Sequence, residues 1–167
     1  MACSPEAATA ISRKKARYAR YADTKQWGAY ADEVALPNCT YAFEDVNGLT
    51  LNAGGNKLQF ASTVEFTAFF GAFFAKLQTL HNLGPGDFTQ TAPDEVRAVF
   101  SVEDQILAPP FGAWAEIRGG GYYYETWKMV DGDWFLSDLR MRRTYQKMTL
   151  LVQVAFFFQE KLGISML

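Results

Sequence analysis

The 167-residue sequence is poor in the residues that build metal clusters and disulfide frameworks. It contains only two cysteines, Cys3 and Cys39, and a single histidine, His81. Two cysteines and one histidine do not supply the ligand sets of the common metal centres, so we expect no metal site. Cys3 lies close to the N-terminus, which argues against a structural disulfide with Cys39.

The sequence also lacks an excess of one charge and a long apolar run. Basic and acidic residues number 16 and 18, whereas nucleic-acid binding needs a clustered basic excess. The longest apolar stretch, residues 150–158, is interrupted by Gln153 and is shorter than the roughly 20 residues of a membrane helix. The first residues do not show the basic start and apolar run of a signal peptide. We therefore expect a cytoplasmic protein with no membrane or nucleic-acid partner.

Aromatic residues are what the sequence has in abundance. Phe, Tyr and Trp make up 16% of the chain, and hydrophobic residues make up 49%. A chain of this length forms one domain with a core of its own. So many aromatic residues predict a large apolar pocket or an adhesive interface.

The order of helix and strand signals predicts an α+β fold. Ser4 and Ser62 are placed to cap helices over about residues 5–22 and 63–77, and a short helix is expected over 26–34. Asp131-Gly132 predicts a hairpin between two long strands. Further strands are expected over residues 39–44, 80–91 (interrupted at 84–86) and 95–107, whereas residues 148–167 fit a helix and a strand equally. We expect a single domain in which a cone-shaped, curved antiparallel sheet wraps around N-terminal helices.

Three segments, in order, resemble SnoaL-like proteins of the nuclear transport factor 2-like superfamily. They are the end of the first helix (residues 17–27, RYARYADTKQW), a strand (121–127, GYYYETW) and a hairpin (131–136, DGDWFL). The basic run at residues 140–143 and the position of His81 are also similar. The resemblance covers about residues 10–146. It implies a cone domain over residues 1–147. We expect the apolar extension that follows (148–167) to plug the mouth of the cone, form a lid or make a dimer contact.

The same resemblance implies a function. The superfamily includes dehydratases, isomerases and polyketide cyclases that work without a cofactor, so none is expected here. Tyr18, Asp23, His81 and Asp104 are similar to the site of the steroid-type dehydratase, whereas scytalone dehydratase uses a second histidine that this sequence lacks. We expect a homodimer that acts on a bulky apolar carbonyl intermediate of secondary metabolism, a polyketide, terpenoid or steroid-like compound.

The chemistry of these four residues fits proton transfer. His81 is the expected base, Asp23 its partner, Tyr18 a hydrogen-bond donor to the substrate oxygen and Asp104 a second acid or base. The expected substrate-binding residues are Trp27, Tyr41, Phe69, Phe73, Tyr123 and Arg140.

Three alternatives remain open at this point. Asp104 could instead be the salt-bridge partner of an arginine. It could also act alone as the acid while His81 only positions the substrate. The whole chain could be a non-catalytic ligand-binding or dimerisation module on the same fold.

Overall fold

Four α-helices and eight β-strands form one α+β domain in the computed structural model, which describes residues 2–53 and 55–162. The helices are α1 (Pro5–Asp23), α2 (Trp27–Glu33), α3 (Thr63–Phe73) and α4 (Leu150–Leu162), with a 3₁₀ helix at Pro109–Trp114. The strands are β1 (Ala35–Glu44), β2 (Asn52–Ala53), β3 (Asn56–Lys57), β4 (Gln59–Phe60), β5 (Gln78–Ala92), β6 (Glu95–Leu107), β7 (Glu116–Val130) and β8 (Asp133–Met148). No helix within the described ranges is long and apolar enough to cross a membrane.

Local sequence signals explain where these elements begin and turn. The Ser4 hydroxyl accepts a hydrogen bond from the Ala7 N–H at 3.1 Å, and Pro5 opens α1. The Ser62 hydroxyl accepts one from the Glu65 N–H at 3.2 Å and caps α3 in the same way. Asp131 and Gly132 have φ angles of +50° and +82°, the left-handed pair that a two-residue hairpin between β7 and β8 requires.

The main sheet is mixed rather than wholly antiparallel. Its strand order is β4-β1-β8-β7-β6-β5, and β1 runs parallel to β8. No turn joins β1 to β8, so packing rather than a hairpin sets the direction of this pair. The predicted break of the strand at residues 84–86 is also absent. Strand β5 continues through these residues, and its pairing with β6 shifts in register there. Pro85 is tolerated because β5 is an edge strand.

The aromatic core lies between the inner sheet face and the first three helices. Ile11 and Tyr30 of the helices pack in one buried cluster with Phe100, Trp127 and Leu136 of the strands.

The ambiguous C-terminal segment is a helix as far as Leu162, and residues 163–167 lie outside the described part. Val152 of α4 packs in one buried cluster with Ala108 and Ala115, which flank the 3₁₀ helix. The role of this extension as a lid or dimer contact stays a prediction.

Candidate active site

A cavity of about 300 Å³ lies between the helices and the inner face of the sheet. Its wall is mostly apolar and aromatic, and it includes Trp27, Phe66, Phe70, Phe73 and Phe74. The polar exceptions at the wall include the side chains of Tyr18, His81, Asp104, Tyr123 and Arg143. Such a wall suits a mostly apolar ligand that carries a few oxygen atoms.

His81 and Asp23 form a hydrogen-bonded pair at this wall. Asp23 is the last residue of α1, and His81 lies near the start of β5, where the helix meets the strand. His81 Nδ1 is 2.7 Å from Asp23 Oδ1, and the His81 backbone N–H donates to Asp23 Oδ2 at 3.0 Å. The Asp23 carboxylate therefore binds His81 through both its ring and its backbone N–H.

The charge state of Asp23 sets the direction of this hydrogen bond. Burial raises the pKa of Asp23, but hydrogen bonds from His81 and Thr79 outweigh burial and leave the pKa below its usual value. An ionised carboxylate only accepts, so Nδ1 carries the proton and donates to it. When the ring is neutral, Nε2 is the basic nitrogen.

Asp104 lies beside this pair and is bound to an arginine. His81 and Asp104 are direct partners on β5 and β6, and Asp104 Oδ2 is 2.6 Å from Arg143 Nη1. Their side chains are 5% and 10% exposed, respectively. The contact is an ion pair without hydrogen-bond geometry, and Asp104 Oδ1, Arg143 Nε and Arg143 Nη1 find no hydrogen-bond partner among the described residues. Buried polar atoms without a hydrogen-bond partner are uncommon, so this pair is a candidate for polar contact with a ligand.

Two tyrosines complete the polar part of the wall. The rings of Tyr18 and Tyr123 lie 5.6 Å apart, edge to face. Burial raises the pKa of both phenols, so both are protonated donors. The ammonium of Lys15 lies 3.8 Å from the centre of the Tyr18 ring and 3.5 Å from that of Tyr123. It forms a buried salt bridge with Glu125, which also accepts a hydrogen bond from Trp127 Nε1 at 2.9 Å.

The comparison with known proteins identifies this architecture. A family model described as a SnoaL-like domain matches residues 4–140 of the chain. The chain belongs to this SnoaL-like family. It is also 42% identical over 148 residues to "Probable cyclase FGR4" of Gibberella zeae, and the match covers 89% of this chain and 98% of that protein.

Solved structures share the SnoaL-like fold at low sequence identity. The Kfla4162 protein of Kribbella flavida matches with a TM-score of 0.74 and 20% identity, over 89% of this chain and 97% of that one. A putative scytalone dehydratase of Novosphingobium aromaticivorans matches with a TM-score of 0.69 and 15% identity, over 84% and 85% of the two chains. At these identities the likeness shows the fold.

The structure brings together seven of the ten residues expected at the SnoaL-like site. Tyr18, His81, Asp104, Trp27, Phe73 and Tyr123 line the cavity, and Asp23 lies behind His81. Tyr41, Phe69 and Arg140 are not among the lining residues. The Tyr41 hydroxyl is bound to Tyr30 and Thr63, and Phe69 packs against Phe60 and Phe73.

The arginine at the cavity is Arg143 rather than Arg140. In β8, Ser137 is an extra residue between Leu136, opposite Trp127, and Asp138, opposite Thr126. One extra residue reverses which side chains face inward. Leu139 and Met141 are therefore buried, and Arg140 faces outward, 3.4 Å from Glu44.

Gly119 is the sequence signal that could have indicated this arginine. A Cβ atom at Gly119 would lie 2.3 Å from Arg143 Nη1, so any larger residue would force the guanidinium out of its observed position against β7. The segment Gly119–Gly121 lies within β7, with a register shift between Gly120 and Gly121.

The described residues do not provide a metal centre of the usual kind. Within residues 2–53 and 55–162, no group of three His, Cys, Asp or Glu side chains is placed to hold a metal ion. Proton transfer by the side chains at the cavity wall is the chemistry that this arrangement supports most directly.

Proposed function

We propose that the chain is an acid–base enzyme of the cyclase or dehydratase type, acting on a bulky, mostly apolar carbonyl compound. The observation that carries the proposal is the His81–Asp23 pair, whose histidine lies at the wall of a mostly apolar and aromatic cavity. The 42% identity to a probable cyclase over nearly its whole length supports the same class. A polyketide, terpenoid or steroid-like intermediate of secondary metabolism has the size and polarity that such a wall favours.

The reaction would begin with proton removal from a carbon atom next to the carbonyl group. His81 Nε2 takes the proton, and the carbon–hydrogen electron pair moves to form the enolate. Asp23 stabilises the imidazolium that results, because its carboxylate remains hydrogen-bonded to Nδ1. The same carboxylate holds the ring in the orientation and tautomer that the step requires.

The enolate oxygen needs donors that are already in place. Tyr18 and Tyr123 are protonated phenols at the wall, and Arg143 adds a guanidinium held by Asp104. Donors that are oriented before the reaction stabilise developing charge without reorganising. In this assignment Asp104 positions Arg143 instead of acting as a second acid or base.

The atom that receives the proton back from His81 then determines which product forms. Return of the proton to a departing hydroxyl group releases water and completes a dehydration. Its return to a carbon or oxygen atom of the rearranged enolate completes an isomerisation or a ring closure. Either route restores neutral His81 and needs no electron carrier.

Proton exchange in deuterium oxide tests the proposal. The protein is incubated with a panel of aromatic polyketide, terpenoid and steroid ketones, and mass spectrometry follows conversion and deuterium uptake next to the carbonyl. We expect His81→Gln to lower the rate by about 10²–10⁴-fold, the usual contribution of a general base. Arg143→Gln should also lose activity, whereas Arg140→Gln on the outer face should retain it.

Two outcomes would contradict the proposal. One is conversion that His81→Gln leaves at the wild-type rate. The other is tight binding of these ketones, seen as a change in tryptophan fluorescence, without exchange or conversion of any of them. The second outcome would favour a non-catalytic ligand-binding module.

A further inference from the structure

A chain of hydrogen bonds continues behind the His81–Asp23 pair. The Thr79 hydroxyl donates to Asp23 Oδ1 at 3.0 Å, and Lys25 Nζ donates to the Thr79 hydroxyl oxygen at 2.8 Å. A lysine ammonium only donates, so the direction of the chain is determined from Lys25 through Thr79 to Asp23. Thr79 and His81 are two residues apart on β5 and therefore present their side chains on the same face of the strand.

These bonds leave the Asp23 carboxylate little freedom to rotate. Oδ1 receives the Thr79 hydroxyl and the His81 ring, and Oδ2 receives the His81 backbone N–H. Without Thr79, the carboxylate could turn about its last bond and offer the imidazole a weaker contact.

Lys25 has a backbone conformation that favours glycine. It follows the C-cap residue Thr24 of α1, and its φ angle is +61°. Helices commonly end with glycine in this left-handed position because a Cβ atom is strained there. Glycine would adopt this φ angle without strain but would lack the Lys25 ammonium, which donates to the Thr79 hydroxyl oxygen at 2.8 Å and to the Ala22 carbonyl oxygen at 3.4 Å.

We propose that Lys25 and Thr79 are positioning residues that keep the Asp23 carboxylate oriented toward the ring and the backbone N–H of His81. Neither side chain is among those that line the cavity, so they act through Asp23 and not on the substrate. The effect of this chain on turnover rests on the proposed function, whereas its effect on the histidine ring does not.

Nitrogen NMR of the histidine ring tests the proposal without a substrate. His81 is the only histidine in the sequence, so its two ring nitrogens are assigned directly. At mildly alkaline pH, where an ordinary imidazole is neutral, the wild-type ring should carry its proton on Nδ1. Thr79→Val and Lys25→Gly should each raise the fraction that carries the proton on Nε2.

Two control variants separate positioning from general structure. Thr79→Ser keeps the hydroxyl and should restore the wild-type ring signals. Lys76→Gly removes an exposed lysine from the turn before β5 and should leave them unchanged. Lys25→Gly relieves the backbone strain, so it should fold at least as stably as the wild type even though it loses the amine.

Wild-type ring signals in both Thr79→Val and Lys25→Gly would overturn the proposal. If the proposed function holds, the two variants should lower kcat by about tenfold with KM nearly unchanged, since neither residue contacts the substrate. Altered ring signals in a protein that converts no ketone would reject the proposed function and retain the positioning role.

Discussion

Replacing Lys15 by Met should destabilise the protein far more than the same change at its neighbour Lys14. The side chains of Lys15 and Glu125 are 1% and 0% exposed. Removing the lysine leaves a buried carboxylate whose remaining hydrogen bond comes from Trp127. Breaking a buried pair in this way costs about 3–5 kcal/mol, because one charge is left without compensation.

Lys14 is the matched control on the same helix. It pairs with Asp133 at 2.7 Å, but the Asp133 side chain is 54% exposed. Water can solvate that carboxylate once the lysine is gone, but the Glu33 carbonyl loses the hydrogen bond that Lys14 Nζ donates at 2.6 Å, so Lys14→Met should cost about 1–2 kcal/mol. For a domain of this size, the two losses correspond to falls in Tm of about 6–20 °C and about 2–8 °C.

Urea unfolding followed by tryptophan fluorescence measures both free energies, with equal m values as the check on two-state behaviour. The double variant Lys15→Met with Glu125→Gln should recover most of the loss. It removes the uncompensated charge and leaves an amide oxygen for Trp127. Equal destabilisation by the two single variants, or no recovery in the double variant, would refute the reasoning.

Two further predictions concern the site and its acid stability. Gly119→Ala should move the Arg143 guanidinium away from Asp104, because the new Cβ would lie 2.3 Å from Nη1. A loss of ketone conversion close to that of Arg143→Gln would confirm this, and a fully active variant would contradict it. The folded-state pKa of Asp23 lies below its unfolded value, so its stabilising contribution is present above the unfolded pKa and lost as pH falls through the folded one. Acid titrations of Tm should therefore show a smaller loss on acidification below about pH 4 for Asp23→Asn than for the wild type, and identical curves would reject this assignment.

The candidate pair His81–Asp23 was predicted from the resemblance to SnoaL-like proteins, and local signals in the chain supplied only the element ends on which the two residues lie. Ser4 and Pro5 place the start of α1, and the polar step after Asp23 ends it. His81 follows a helix that Ser62 begins. The distance of 2.7 Å between His81 Nδ1 and Asp23 Oδ1 itself depends on the packing of α1 against β5, which these local signals do not determine.

Arg143 could not be predicted in the same way. Strict alternation along β8 places Arg140 on the face of Trp134 and Leu136, but the extra residue Ser137 reverses the pattern before Arg140 is reached. No residue type marks this bulge. Its position follows from how β8 pairs with β7 on one side and β1 on the other.

The sequence by itself determined most of the elements, the hairpin turn at Asp131-Gly132 and the chemical groups available for proton transfer, because caps, turns and alternation act over a few residues. Only the tertiary structure decided which of those groups meet. The pair Asp104–Arg143 joins β6 to β8 within the sheet, and the pair Lys15–Glu125 joins α1 to β7. Strand register and helix packing control those distances, and both are set by how the whole core fills its space.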